Sequence, residues 1–108
     1  MTNRISVIAP IKLAKGKTET DLIAASDKFQ KAFVDQEPGV LRRELIRTGD
    51  GEYMDIVQFR SKADAEEVIA KEMSSPVCHE FFAVMEMGDF ADDPSAAVAL
   101  HESIATYN

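Results

Sequence analysis

The dipeptide Asp50-Gly51, set between two runs of pleat-forming residues, constrains this chain more than any other feature. A two-residue hairpin loop needs positive φ, which Asp-Gly adopts at little cost. Val40, Leu41, Leu45 and Ile46 precede it, and Tyr53, Ile56, Val57 and Phe59 follow it. Val40–Arg60 therefore reads as an antiparallel hairpin. With Asp50 and Gly51 as the loop, Thr48 faces Tyr53, Ile46 faces Asp55, Glu44 faces Val57 and Arg42 faces Phe59. The other face then carries Leu41, Arg43, Leu45, Arg47, Met54, Ile56 and Gln58. Both faces are mixed, whereas a sheet with one wetted side would alternate. Helices over one face, and a second chain or a ligand cavity over the other, would account for that.

Before the hairpin, Ile5–Leu13 alternates, with Ile5, Val7, Ala9, Ile11 and Leu13 on one side. It is a strand in which Pro10, lacking an N–H, predicts a local edge or a bulge. Thr18–Gln36 has helical spacing in Leu22, Ala25, Phe29, Ala32 and Phe33, with Thr18 as cap and Asp21 in the first turn. Ser26 falls at the border of that stripe. Pro38-Gly39 ends the helix, the glycine permitting the reversal. After the hairpin, Ser61 caps a helix carrying Ala65, Val68, Ile69 and Met73. Ser75-Pro76 restarts it at an angle as Pro76–Glu86, with Val77, Cys78, Phe81, Phe82 and Met85 on its apolar face. Gly88–Ser95 is loop, anchored by Phe90. Ala97–Tyr107 alternates as a final strand, placing Val98, Leu100, Ile104 and Thr106 on one side, although its alanines would also permit a helix.

The resulting order, strand-helix-strand-strand-helix-strand, predicts an α+β, ferredoxin-like antiparallel sheet with its helices on one face, as a single domain over residues 1–108. Two helices cover only one sheet face. Ile8 with Val57 and Phe59 on the other would leave too much apolar surface in water, so pairing with a two-fold mate is expected. A chain of 108 residues also gains from that extra burial.

A net charge of −7 disfavours a nucleic-acid partner, whose recognition is built on clustered Lys and Arg. The lone cysteine, Cys78, excludes an intrachain disulfide and a cysteine-built metal site. Asp89, Asp92 and Asp93 lack the spacing of a calcium loop, so no metal is expected. No leader and no apolar run of membrane-spanning length is present, and the expected compartment is a reducing cytoplasm.

Glu37-Pro38-Gly39-Val40-Leu41 running into a strand, the Asp-Gly hairpin, and the Ser61-capped helix restarting at Ser75-Pro76 together resemble the dimeric α/β-barrel superfamily. The nearest branch is the antibiotic-biosynthesis-monooxygenase-like domains. The resemblance implies a homodimer with a pocket between sheet and helices in each subunit, a small-molecule ligand and no cofactor. The superfamily includes cofactor-free oxygenases of polycyclic phenols, isomerases and haem-degrading enzymes. The haem branch uses a pocket tryptophan that this chain lacks.

A reaction of this kind needs a base to ionise the substrate. His101 shares a strand face with the small residues Ala99, Ser103 and Ala105, as in a cavity wall, or else bonds a backbone carbonyl at the dimer interface. His79 borders an apolar helix stripe and reaches either a pocket or water. Asp55 could accept a proton, while Arg42 and Tyr53 steady an anion, although an acid beside an arginine is more simply an ion pair. Phe59 and Phe82 complete the substrate-binding set. Three readings stand: a cofactor-independent monooxygenase of a phenolic or cyclic metabolite, an isomerase or lyase using the same base, and a non-catalytic ligand-binding module.

Overall fold

The computed structural model describes residues 4–86, 99–105 and 107. Strand β1 (Ile5–Lys12) leads to helix α1 (Glu19–Ala32), and β2 (Val40–Gly49) and β3 (Glu52–Phe59) form the hairpin. Helices α2 (Lys62–Glu72) and α3 (Pro76–Phe82) precede β4 (Ala99–Glu102). All neighbouring strands are antiparallel, in the order β2-β3-β1-β4. This is the expected ferredoxin-like arrangement, with the helices on one face. The Gly88–Ser95 loop, Phe90, Val98 and Thr106 lie outside the described residues.

The caps act where their residue types predict. Thr18 Oγ1 accepts from the Asp21 N–H at 3.2 Å while Asp21 Oδ2 accepts from the Thr18 N–H at 2.9 Å, a reciprocal pair that satisfies two orphan donors. Ser61 Oγ accepts from the Asp64 N–H at 3.2 Å. Ser75 occupies the N-cap of α3 without a side-chain bond to the helix backbone, and Pro76 starts the new axis. The first helix is shorter than Thr18–Gln36, because its last turn tightens into a 3-10 turn at Val34–Gln36.

Pro10 lies on a central strand, yet at a place where its missing N–H costs little. β4 pairs with β1 only from Ile5 to Ile8, and on that same side the Lys12 carbonyl accepts from the Glu86 N–H at 2.7 Å. Backbone groups two residues apart point to the same side, so Pro10 faces the interval between these two partners.

The hairpin departs from its expected register. β2 carries two extra residues, Leu41 and Thr48, each a bulge against β3. Arg47, not Thr48, therefore stands opposite Tyr53, Leu45 opposite Asp55, Arg43 opposite Val57, and Arg42 opposite Gln58. A one-residue slip exchanges the two faces of a strand. The helix-covered face holds Arg43 and Leu45, and the opposite face holds Arg42 and Glu44. Val57 and Phe59 likewise belong to the covered face, so the outer apolar set is Ile8 beside Ile56, with Met54 beside Ile46.

The core fills the space between the sheet and the helices. Ile5, Val7, Ile11 and Phe59 come from the strands, Leu22 and Phe29 from α1, Val68 from α2, and Cys78 and Phe81 from α3. Each such large side chain contributes about 1.5–3 kcal/mol by leaving water. Phe29 and Phe81 stack with centroids 4.7 Å apart, which joins α1 to α3.

Candidate functional site

The helices do not fill the covered face completely. A cavity of about 650 Å³ remains over the sheet, walled by Val7, Val57 and Phe59 from below, Val68 and Ile69 from α2, and Phe29, Phe81 and Phe82 from the other helices. Pockets that enclose small organic ligands have this size and apolar character.

One buried polar cluster enters it. Arg43 Nε is 3.1 Å from each carboxylate oxygen of Asp55. Arg43 Nη2 donates to Ser26 Oγ at 2.8 Å, and Nη1 reaches Gln30 Oε1 at 3.3 Å and the Ser26 carbonyl at 3.4 Å. The guanidinium also lies against two rings, 4.9 Å from the Phe29 centroid and 5.2 Å from that of Phe81. A delocalised cation suits such a place better than an ammonium. Burial pushes the Asp55 carboxyl above its ordinary range, and Arg43 pulls it part of the way back.

Glu72, in the last turn of α2, lines the same cavity. Its carboxyl makes no hydrogen bond or ion pair with the described residues. Burial, aided by the nearby Asp55 charge and opposed by Arg43, pushes it up to about 8. A carboxyl in this range is mostly protonated at neutral pH and can still lose its proton. At the rim, the Tyr53 hydroxyl donates to Glu19 Oε1 at 3.1 Å, and Arg47 Nε bonds the same oxygen at 2.6 Å. Burial and the Glu19 carboxylate raise the Tyr53 phenol.

The cavity thus gathers four of the residues singled out from the sequence: Asp55, Tyr53, Phe59 and Phe82. Three lie elsewhere. Arg42, its side chain 67 % exposed, pairs with Glu44 on the outer face. His79 is exposed on α3, with Nε2 2.7 Å from the Met73 carbonyl oxygen. His101 is exposed opposite Ser6, so it stands on the outer sheet face. Arg43, Ser26 and Glu72 were missed. Glu72 carries a signal all the same, since it continues the buried spacing Ala65, Val68, Ile69. Among the described residues, no group of three or more His, Cys, Asp or Glu could hold a metal ion, and no helix is long and apolar enough to cross a membrane.

Solved structures share this frame along nearly its full length. SnoaB, a cofactor-independent oxygenase from Streptomyces nogalater, superposes with a TM-score of 0.68 over 99 % of this chain and 97 % of its own, at 13 % identity. The chain has the fold of the antibiotic-biosynthesis-monooxygenase-like proteins. A second such protein, described as an antibiotic biosynthesis monooxygenase, matches at TM-score 0.57 and 15 % identity over 95 % of this chain and 99 % of that one. A dimeric ferredoxin-like protein of unknown function from Jannaschia sp. CCS1 matches at TM-score 0.61 and 12 % identity, over 94 % of this chain and 99 % of its own. No protein-family model matches the sequence, and no curated protein matches it. The sequence resemblance is thereby upheld at the level of fold.

Proposed function

We propose that this chain forms a homodimer in which each cavity binds a small ring-shaped metabolite and oxygenates it without a cofactor. The observation that carries this reading is the cavity itself: about 650 Å³, walled mainly by aromatic and aliphatic side chains, with one buried ion pair, Arg43 and Asp55, in its wall. A ring system carrying few polar groups complements such a wall. The fold shared with SnoaB, a cofactor-independent oxygenase, supports the choice of chemistry.

For a phenolic substrate with an activated methylene, a base first removes a C–H proton, leaving the electron pair delocalised over the ring. The carbanion reduces dioxygen and combines with it to give a peroxide. The peroxide takes up a proton, then loses water together with the second C–H hydrogen. One methylene and one dioxygen become one ketone and one water. The Nη2 hydrogen of Arg43 left after its bond to Ser26 is a donor available to steady the anion, and Tyr53 would join it only by giving up its bond to Glu19. His79 and His101 have no place in this chemistry within one protomer.

The outer sheet face supports the dimeric part of this reading. Ile8, Ile46, Met54 and Ile56 form a contiguous apolar group there, and a second copy would cover them. His101 then belongs at that interface.

Oxygen consumption with anthrones and hydroquinones tests the reading directly. Uptake matched by quinone formation is expected. Ligand-induced thermal stabilisation with neither uptake nor any product would replace it with a binding function, and an oxygen-independent product with an isomerase.

A further inference from the structure

We propose that Glu72 is the catalytic base of this cavity, the residue whose carboxylate takes the proton from an acidic C–H of a bound cyclic ketone or phenol. This rests on the ligand-binding reading above and names the group that the oxygenase chemistry requires.

Its surroundings separate Glu72 from the other acids around the cavity among the described residues. Asp55, the only other carboxyl drawn deep into the cluster, is held by Arg43. Glu86 and Lys12, which also line the cavity, lie 3.8 Å apart as an exposed pair. Glu19 is held by Arg47 and Tyr53. Glu52 also lines the cavity but is exposed beside the hairpin turn, which leaves Glu72 as the half-buried lining carboxyl whose acceptor atoms are uncommitted to a described neighbour. It sits on a helix packed over the sheet, which fixes its direction of approach. The groups that bear on it are Asp55 from β3, Arg43 from β2 and Cys78 from α3. Of these, only Arg43 favours the charged form. Two acids and one guanidinium leave the cluster neutral when Glu72 holds its proton, which makes Glu72 the group that gives and accepts protons as the substrate changes charge.

The step balances without an oxidant. The substrate C–H bond breaks heterolytically, its electron pair stays on the substrate, and the proton forms an O–H bond on Glu72. Reversal returns the proton to carbon. In D₂O without oxygen the same step therefore replaces substrate hydrogen with deuterium.

Anthrone in anaerobic D₂O, followed by proton NMR, tests this. The wild-type protein is expected to accelerate loss of the methylene signal, with a rate that rises with pH and levels off above about 8. Glu72→Gln, which mimics the protonated side chain in shape, is expected to slow exchange by about 100-fold or more and to abolish that pH dependence. Glu72→Asp is expected to recover part of the rate. Thermal melts of both variants verify that the fold is intact. Exchange by Glu72→Gln within about two-fold of wild type, or no acceleration by the wild type, overturns the proposal. Glu72-dependent exchange without oxygen uptake in air sustains it while removing the oxygenase reading. Oxygen uptake that survives in Glu72→Gln does the reverse.

Discussion

Arg43 and Asp55 lock together through one guanidinium nitrogen, Nε, which lies 3.1 Å from both carboxylate oxygens, with the two side chains 7 % and 8 % exposed. Each charge is tolerable in that place only because of the other. Arg43→Ala is expected to destabilise the fold by about 3–5 kcal/mol, since it strands a buried carboxylate. Replacing both residues with apolar ones, Arg43→Met with Asp55→Leu, is expected to restore most of that loss. Urea denaturation of the three proteins at pH 7 measures both steps, and a double variant no better than the single one would refute the pairing argument.

Glu72 should leave a mark on stability as well as on reactivity. The free carboxyl loses its proton near 4.5, and the folded one near 8. Between those values the folded state keeps a proton that the unfolded state has released, so stability falls as pH rises and flattens above the folded value. The fall attributable to this one group is bounded at about 5 kcal/mol, at about 1.4 kcal/mol per unit. Glu72→Gln is expected to lose this slope and to exceed the wild type in stability at pH 8. Urea midpoints at four pH values between 5 and 8 measure the difference. Parallel curves for the two proteins would contradict the assignment.

The outer sheet face offers a second kind of test. Ile56 stands beside Ile8 at the middle of the apolar group. A lysine there would place a charge in the proposed dimer interface while leaving the core intact. Ile56→Lys is expected to sediment as a folded monomer where the wild type sediments as a dimer. A wild type that is already monomeric at micromolar concentration would refute the dimer.

Gly39 is needed for closeness rather than for a reversed backbone. Its φ is not positive, whereas a Cβ at this position would come within 2.7 Å of Asp64 Cβ and 2.9 Å of its Cγ. Asp64 holds Arg60 and the Ser61 cap in place. Gly39→Ala is expected to cost about 1–3 kcal/mol through displacement of that carboxylate. Gly16→Ala meets no neighbouring atom and is the control, with only its left-handed φ of +85° against it. Thermal unfolding of both variants would check the contrast, and an unchanged Gly39→Ala would exclude the contact as its cause.

The elements were legible because their signals are local. Asp50-Gly51, the caps Thr18 and Ser61, and the break at Ser75-Pro76 each act through neighbours a few residues away. The site was less legible because it depends on phase. Thr48 leaves no mark in the sequence that distinguishes a bulged residue from a paired one, and that single step substituted Arg42 for Arg43. Asp55 and Tyr53 were found because β3 itself is regular. Glu72 resembles the solvated end of a helix until α2 is laid against the sheet. The histidines attracted attention for their chemistry, but chemistry alone does not say which way a side chain points.

The two bulges in β2 mean that the electrostatics of the cavity are set by counting. Arg42 and Arg43 are adjacent copies of one side chain, and the length of the strand near Thr48 selects which of them is desolvated against Asp55. Were Thr48 to pair with Tyr53 in place of bulging, the other arginine would turn inward, together with the acid at position 44. The cavity would then trade a balanced cluster for a different one although no side chain of the chain had been changed.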